Sequence, residues 1–287
     1  MIIFTGLIQL SLHKITIFFT AGNVESRWMD GGQPGAVFHG PSRPNKGIGR
    51  RGRTALAWAA VDPISGRIDA VRERVSAALQ RSGRERGAVT IVAVTKTFGA
   101  DMVRRVIAAG ITDIGENRVQ EMVAKAAEVD APCRWHLVGP LQRNKAGKAA
   151  ALAHLIHAVD GVPIAQTLDR IARERGTRVR VLLEVNTSGE ATKHGVEPSA
   201  APALADALAA LPGVDWQGLM TIGPVGGDLE AARLCFQELR RLSDELRRRS
   251  GLALPELSMG MSDDFEVAIE EGATIIRVGR VVTGERG

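Results

Sequence analysis

The sequence predicts an α/β protein: a single closed (β/α)8 barrel over residues 62–287, with a leader over residues 1–60. Two observations lead to this fold class. Short apolar runs alternate with amphipathic helical patterns, and the chain contains eight such runs with seven helical patterns between them. Alternating strands and helices are typical of parallel strands joined by helical crossovers, and eight units favour closure into a barrel.

The first ordered element is a helix that begins near Asp62, where apolar residues recur at helical spacing as far as Leu79. The predicted strands are Thr90–Thr95, Asp113–Gly115, Trp135–Val138, Leu155–Val159, Val179–Val185, Trp216–Met220, Glu256–Met259 and Ile275–Val278. The predicted helices between them are Met102–Ala109, Val119–Val129, Lys145–Ala151, Ile164–Arg175, Ala201–Leu211, Leu229–Arg249 and Phe265–Glu271. Functional side chains are expected at the C-terminal ends of the strands.

Residues 1–60 differ from the rest of the chain in charge and composition. They contain seven basic and two acidic residues, so the net charge of +5 lies entirely within them. The remainder is neutral overall, which argues against nucleic acid as a partner, and Ile2–Thr20 is too short and interrupted to span a membrane. Gly31–Arg53 is rich in glycine, proline and arginine and is predicted to be disordered. Residues 1–60 are therefore predicted to be a disordered or dispensable leader.

The cysteines and histidines show no pattern of a disulfide framework or a metal site. Cys133 and Cys235 are far apart in the sequence, and the six histidines lack ligand spacing. We therefore predict no metal, and free thiols suited to a cytoplasmic location.

Lys96 directly follows the first predicted strand. A lysine at that point projects its amine over the barrel mouth, where low-dielectric walls favour the neutral form that reacts with aldehydes. The alternative is a lysine whose stem packs on apolar surface while its amine stays in water. The strand by itself leaves both interpretations open.

Two segments near the end of the chain favour a phosphate site. They are Ser258–Asp264 and Arg277–Arg280, which end the seventh and eighth strands. Glycines there allow backbone amides to approach a bound group, and these two strands commonly build phosphate sites in such barrels. The alternative is that Ser262 or Asp263 merely caps the following helix, which requires no ligand. A further polar loop, Asn186–Gly195, is a candidate lid after the fifth strand.

Together these segments resemble the pyridoxal phosphate homeostasis family, also called the proline synthase co-transcribed homologue family. The resemblance covers roughly residues 62–287. It is carried, in order, by Val94-Thr95-Lys96, Gly115-Glu116-Asn117, Gln120-Glu121, Trp135-His136, Gly139-Pro140-Leu141-Gln142, Asn144-Lys145, Asn186, Ser188, Glu190, Lys193, Gly195, Gly218-Leu219-Met220, Ser258-Met259-Gly260-Met261-Ser262-Asp263-Asp264 and Arg277-Val278-Gly279. It implies a barrel of the alanine racemase N-terminal type and pyridoxal 5′-phosphate (PLP), a form of vitamin B6, as cofactor.

The resemblance implies a role for each matching residue. Lys96 would carry PLP as a Schiff base, Asn117 would lie beside the ring, and Arg277 would face the pyridine nitrogen and weaken the ring as an electron sink. The phosphate would be held by Ser258, Ser262, Gly279 and the backbone of Arg280. The sequence departs from the family at Val281–Arg286, where an apolar residue and a phenylalanine usually precede Gly-x-Arg.

The chain contains no tyrosine. A racemase needs an acid–base group on each face of the substrate, and in alanine racemase a tyrosine from a second domain of the partner subunit provides one of them. Because that tyrosine is missing and no such domain follows Gly287, the sequence predicts a PLP carrier in PLP homeostasis rather than an enzyme.

Two other functions remain open from the sequence. One is a PLP-dependent amino-acid racemase or decarboxylase of fold type III, with His136, His194 or a cysteine as second acid–base group. The other is a Schiff-base aldolase that holds no PLP. For the leading interpretation we expect a cytoplasmic monomer, with PLP and apo PLP-dependent enzymes as its partners.

Overall fold

The computed structural model describes residues 9–12, 15–20, 23–28, 62–190, 192–224, 226 and 228–284. Its barrel is closed by eight parallel strands in chain order, with the eighth paired to the first. The strands β1 to β8 are Thr90–Val94, Asp113–Glu116, Arg134–Leu137, Ala153–Val159, Val179–Glu184, Val214–Met220, Glu256–Ser258 and Ile275–Val278. The predicted fold class is confirmed, and each predicted strand overlaps an observed one.

The helices α1 to α9 are Pro63–Arg81, Ala100–Ala108, Val119–Ala126, Ala146–Leu152, Val162–Glu174, Ala201–Ala209, Leu229–Ser250, Phe265–Glu270 and Arg280–Thr283. Helix α1 begins where the sequence predicts, because the Asp62 carboxylate accepts a hydrogen bond from the Ile64 amide and Pro63 occupies the first helical position. Helix α9 was not predicted, since its four residues are too few to show a helical period.

The interior of the barrel holds an apolar cluster of its own, formed by Val92, Val138, Leu155, Ala158, Leu182, Met220 and Ile275. Side chains alternate between the two faces of a strand, so Val94 and Lys96 continue the inward-facing row that contains Val92. By the same alternation Arg277 follows Ile275. The strand period therefore directs one basic side chain from β1 and another from β8 towards the same end of the barrel.

The N-terminal region forms a separate unit. Its described residues are three antiparallel strands, Gln9–Leu12, Ile15–Thr20 and Asn23–Trp28. They lie within the predicted leader, whose disorder and dispensability stay predictions, and Gly31–Arg53 lies outside the described residues. Within the described part of the chain, no helix is long and apolar enough to cross a membrane.

Candidate functional site at the barrel mouth

A cavity of about 700 Å³ opens at the C-terminal ends of the barrel strands. Its walls include six of the seven predicted site residues: Lys96, Asn117, Ser262, Arg277, Gly279 and Arg280. Val94, Val138 and Ile222 add apolar surface. Residues up to 184 positions apart in the sequence therefore meet here, as expected for a barrel in which function lies at the ends of the strands.

Lys96 is exposed at the cavity, so its amine is accessible, which agrees with the second of the two interpretations left open by the strand. The next residue, Thr97, has φ of 71°, which is unusual for a β-branched side chain. Its amide donates a hydrogen bond of 3.2 Å to Glu121 Oε2. The turn after β1 is thus held in a left-handed conformation directly beside Lys96.

A buried ion pair supports the backbone that carries Lys96. Lys125 Nζ donates to Glu116 Oε1 at 2.5 Å and to the Thr95 carbonyl at 2.8 Å. The Thr95 hydroxyl donates to the same Glu116 oxygen at 2.6 Å. Burial raises the pKa of Glu116, and the hydrogen bonds from Lys125 and Thr95 oppose that rise. Lys125 was missed by the sequence analysis, because a lysine at a helical position gives no signal of burial.

Arg277 lies at the inner end of the cavity and is 5% exposed. Its Nη1 donates to Ser258 Oγ at 2.7 Å, and its Nη2 donates to the Thr221 carbonyl at 2.8 Å. Burial lowers the pKa of Arg277 to about 10. Among the residues that the structure describes, none pairs a carboxylate with this guanidinium within 4.0 Å, so both of these hydrogen-bond partners are neutral oxygens.

Ser258 is the predicted site residue that does not line the cavity. It is fully buried beneath Arg277, and its Oγ lies 2.8 Å from His157 Nδ1. In this structure its hydroxyl is engaged by two side chains of the barrel interior. That Ser258 binds the phosphate stays a prediction. Its contacts favour a different role, in which Ser258 holds the side chain of Arg277 in place.

The hydrogen bonds continue from His157 across the barrel. His157 Nε2 lies 3.0 Å from His136 Nδ1, and His136 Nε2 lies 2.9 Å from Asp113 Oδ1. Asp113 also accepts two hydrogen bonds from Arg134, at 2.7 and 2.5 Å. Burial acts to raise the pKa of Asp113, but the hydrogen bonds from His136 and Arg134 outweigh it and lower this pKa to about 2. Burial is the main cause that lowers the pKa of His157 well below its ordinary value, and the nearby His136 and Arg277 lower it further.

The predicted phosphate segments meet beside α9. The Gly279 amide donates to Ser262 Oγ at 3.3 Å, and the Arg280 guanidinium pairs with Asp263. The interpretation of Ser262 or Asp263 as the cap of the following helix is wrong. Asp264 occupies the N-cap position of α8, and its Oδ1 accepts from the Met261 amide at 2.6 Å. The Ser262 hydroxyl is thereby left to face Gly279.

Two glycines are required for steric reasons. A Cβ on Gly139 would lie 2.4 Å from the Asn117 carbonyl oxygen and 2.9 Å from Asn117 Cγ, so glycine allows Asn117 its place in the cavity wall. Gly260 has φ of 91°, and a Cβ there would lie 2.9 Å from Phe265 Cα. Gly260 is therefore required by the packing of α8, and the expectation that its backbone approaches a ligand stays a prediction.

Glu184, at the end of β5, was not singled out by the sequence analysis. It is buried, and its Oε2 has no hydrogen-bond partner among the described residues. Burial and the charge of Asp160 raise its pKa to about 7, while Arg277 acts in the opposite direction. Its strand position is the inward-facing one after Leu182, which belongs to the interior cluster.

The candidate lid, Asn186–Gly195, borders a second cavity of about 790 Å³ through His194. Asn117 lines both cavities. Within the loop the side-chain Nδ2 of Asn186 donates to the Glu190 carbonyl, and Lys193 Nζ donates out of the loop to the Gly223 carbonyl at 2.6 Å. Its function as a lid stays a prediction.

Comparisons with known sequences agree with this architecture. The profile of the family described as "Alanine racemase, N-terminal domain" matches residues 67–287. A "Pyridoxal phosphate homeostasis protein" of Aquifex aeolicus is 42% identical over 221 residues, which is 77% of this chain and 97% of that protein. The human protein of the same name is 38% identical over 234 residues, covering 76% of this chain and 85% of its own length.

Solved structures give the same result. PipY of Synechococcus elongatus, solved with PLP bound, has a TM-score of 0.69 and 37% identity, covering 77% of this chain and all of that one. An alanine racemase of Clostridium difficile has a TM-score of 0.61 at 16% identity, covering 79% of this chain and 56% of that chain. At that identity the second likeness shows the fold alone.

Proposed function

Because this chain belongs to the alanine racemase N-terminal domain family and, within it, to the pyridoxal phosphate homeostasis proteins, we propose that it binds PLP at the barrel mouth and acts in PLP homeostasis as a carrier without robust catalysis. One observation carries the proposal. Lys96, Arg277, Gly279 and Arg280 line one cavity, so an amine, a buried guanidinium and the start of α9 meet at a common space.

The residues present fit PLP in chemical type. PLP supplies an aldehyde that condenses reversibly with amines, and Lys96 Nζ is the accessible amine for a Schiff base. Arg277 is a donor for the pyridine nitrogen, and Asn117 lines the wall between the two. The phosphate is proposed to lie against Ser262, Gly279 and the backbone of Arg280. Ser262 Oγ accepts from the Gly279 amide, which leaves the Ser262 hydroxyl hydrogen for the phosphate. The apolar side chains of Val94, Val138 and Ile222 are suited to contact the ring.

The cavity also supports a carrier rather than a racemase. No histidine or cysteine belongs to its described lining, and Asp263, its one carboxylate there, pairs with Arg280. His136, a stand-in considered in the sequence analysis, is buried between Asp113 and His157. Arg277 at the ring nitrogen would disfavour protonation of that nitrogen, which suits storage better than carbanion chemistry.

The test is to reduce the PLP-loaded protein with borohydride, digest it and map the pyridoxyl group by mass spectrometry. We expect the group on Lys96 and its loss in the Lys96→Ala variant. Lys145→Ala, which changes a lysine of the neighbouring cavity, serves as the control. A pyridoxyl group on another lysine, or none, would contradict the proposed site. Rapid conversion of L- to D-alanine by the purified protein would contradict the carrier role.

The proposal includes a cellular setting. We propose that the protein works as a cytoplasmic monomer and delivers PLP to apo PLP-dependent enzymes. Light scattering of the purified chain tests the first part, and a dimer mass would contradict it. For the second part, an apo transaminase mixed with the loaded protein is expected to regain activity faster than with Lys96→Ala protein and an equal amount of free PLP.

A further inference from the structure

The histidines of the barrel interior form a continuous hydrogen-bond chain with the cofactor cavity at one end. The chain runs from Arg277 through Ser258, His157 and His136 to Asp113, with successive distances of 2.7, 2.8, 3.0 and 2.9 Å. Its three central members are at most 2% exposed. Polar groups buried to this extent are costly unless each one is paired, so the chain has a definite arrangement of donors and acceptors.

The two ends of the chain determine its direction. Arginine can only donate, and an ionised carboxylate can only accept. His136 therefore donates from Nε2 to Asp113, and in the arrangement in which both rings are neutral it accepts at Nδ1. His157 must then donate from Nε2 to His136 and accept at Nδ1 from the Ser258 hydroxyl. The Ser258 oxygen in turn accepts from Arg277.

The opposite direction fits the geometry less well. If His157 donated from Nδ1, Ser258 Oγ would receive two donors, and its own hydrogen would have no acceptor among the described residues. His136 would then have to carry a proton on both nitrogens. Only the first arrangement pairs every donor and acceptor of the chain with neutral histidines.

We infer that His157 and His136 are positioning residues that act through Ser258 to orient the Arg277 guanidinium towards the cofactor cavity. Ser258 and the Thr221 carbonyl take two of the five N–H donors of Arg277. These two hydrogen bonds fix the plane of the guanidinium. Because the group is planar, that plane determines where its remaining N–H groups point. Because both partners are neutral, the full charge of Arg277 stays available to the ligand.

The inference rests on the proposed function for what Arg277 faces, namely the pyridine nitrogen of PLP. The chain itself is a property of the barrel and does not depend on bound PLP. Beyond the Asp113 end lies Arg134, whose side chain is 53% exposed at the start of β3 and which donates two hydrogen bonds to Asp113. The anchor of the chain therefore lies at the N-terminal end of the strands, opposite the cavity.

The first experiment uses the wild-type protein without PLP. Two-bond proton–nitrogen correlation spectra of the histidine rings report which nitrogen carries the proton. We expect both His136 and His157 to be protonated at Nε2 alone, and assignment follows from His136→Gln and His157→Asn samples. A proton on Nδ1 of either ring would overturn the inferred direction. This result is independent of whether the protein binds PLP.

The second experiment compares PLP-loaded variants. His157→Leu removes the acceptor for Ser258, whereas Oδ1 of His157→Asn replaces Nδ1. His154→Leu is the control, since His154 lies on the same strand and its ring is 5.7 Å from that of His136, but its hydrogen bond is to Arg180 and not to the chain. We expect His157→Leu to shift the absorption maximum of bound PLP and to weaken PLP binding about threefold to tenfold. His157→Asn should lie closer to wild type, and His154→Leu should match it.

The outcomes distinguish the positioning role of His157 and His136 from the proposed binding of PLP. A folded His157→Leu protein with unchanged spectrum and affinity, or a His157→Asn protein no closer to wild type than His157→Leu, would overturn the positioning role. If His157→Leu does not fold, His157→Asn and the ring spectra decide. If wild-type protein fails to bind PLP while both rings show Nε2 protonation, the proposed function fails and the inferred chain stands.

Discussion

The Arg277 guanidinium donates a 2.7 Å hydrogen bond to the buried Ser258 hydroxyl, whereas Ser262 lines the cavity and accepts from the Gly279 amide. The two serines, which the sequence analysis grouped together, therefore occupy different environments. The first prediction separates them.

Ser258→Ala should destabilise the protein by about 1–3 kcal/mol, because it leaves a donor of Arg277 and an acceptor of His157 unpaired in the interior. Ser262→Ala should change stability little and weaken binding of PLP, and of inorganic phosphate as a competitor. Urea unfolding and PLP titration measure the two effects. Equal losses of phosphate affinity in both variants would instead support the original grouping.

Gly139→Ala should weaken PLP binding, because the added Cβ would lie 2.4 Å from the Asn117 carbonyl oxygen and push Asn117 from the cavity wall. Overpacking of this kind costs about 1–3 kcal/mol. Gly147→Ala is the matched control, since a Cβ added there would have no neighbour within 4 Å and alanine favours helix α4. The expected pattern is a loss in stability and affinity for the first variant and neither loss for the second.

Arg280 tests whether the phosphate is held by backbone or by side chain. Arg280 is the first residue of α9, a position where proline is tolerated although it has no amide hydrogen. Arg280→Pro should therefore keep the fold and weaken PLP binding by about the value of one charge-assisted hydrogen bond, roughly 1.5–3 kcal/mol. Arg280→Ala retains the amide and should bind nearly as wild type. If Arg280→Ala instead bound PLP more weakly than Arg280→Pro, the phosphate contact would be assigned to the Arg280 guanidinium.

Glu184 should make stability depend on pH. Its pKa in the folded state is about 7, above the ordinary value of 4.5. The free energy of unfolding is therefore unaffected by Glu184 below pH 4.5, falls as pH rises from 4.5 to 7, and stays at the lower value above pH 7. Glu184→Gln should thus stabilise the protein by at most roughly 3 kcal/mol at pH 8 and by much less at pH 5. Urea unfolding at both values measures this. Glu197→Gln, at an exposed position, is the control, and a gain that is the same at both pH values would refute the prediction.

The Lys125–Glu116 pair should show strong coupling. Lys125→Met leaves the buried Glu116 carboxylate without its cation and should cost about 3–5 kcal/mol. Adding Glu116→Gln should recover much of that loss, because no buried charge then remains. A double-mutant cycle by urea unfolding measures the coupling. Additive single effects would show that the pair does not act as a unit.

The sequence by itself determined the fold class and the end of the barrel at which the site lies. Strand and helix periods are local, so runs such as Thr90–Val94 and helices such as Leu229–Ser250 could be identified from neighbouring residues alone. Lys96, Asn117 and Arg277 follow or end such runs, which places them at the mouth of any closed barrel. The family resemblance added the ligand.

Only the tertiary structure decided which side chains face one another across the barrel. Asp113, His136, His157, Ser258 and Arg277 come from five strands, and their contacts depend on barrel closure and on the stagger between strands. A shift of one residue would turn each of them to the opposite face. Local pattern does not encode that register, so the sequence could not show that the Ser258 hydroxyl contacts Arg277 and His157.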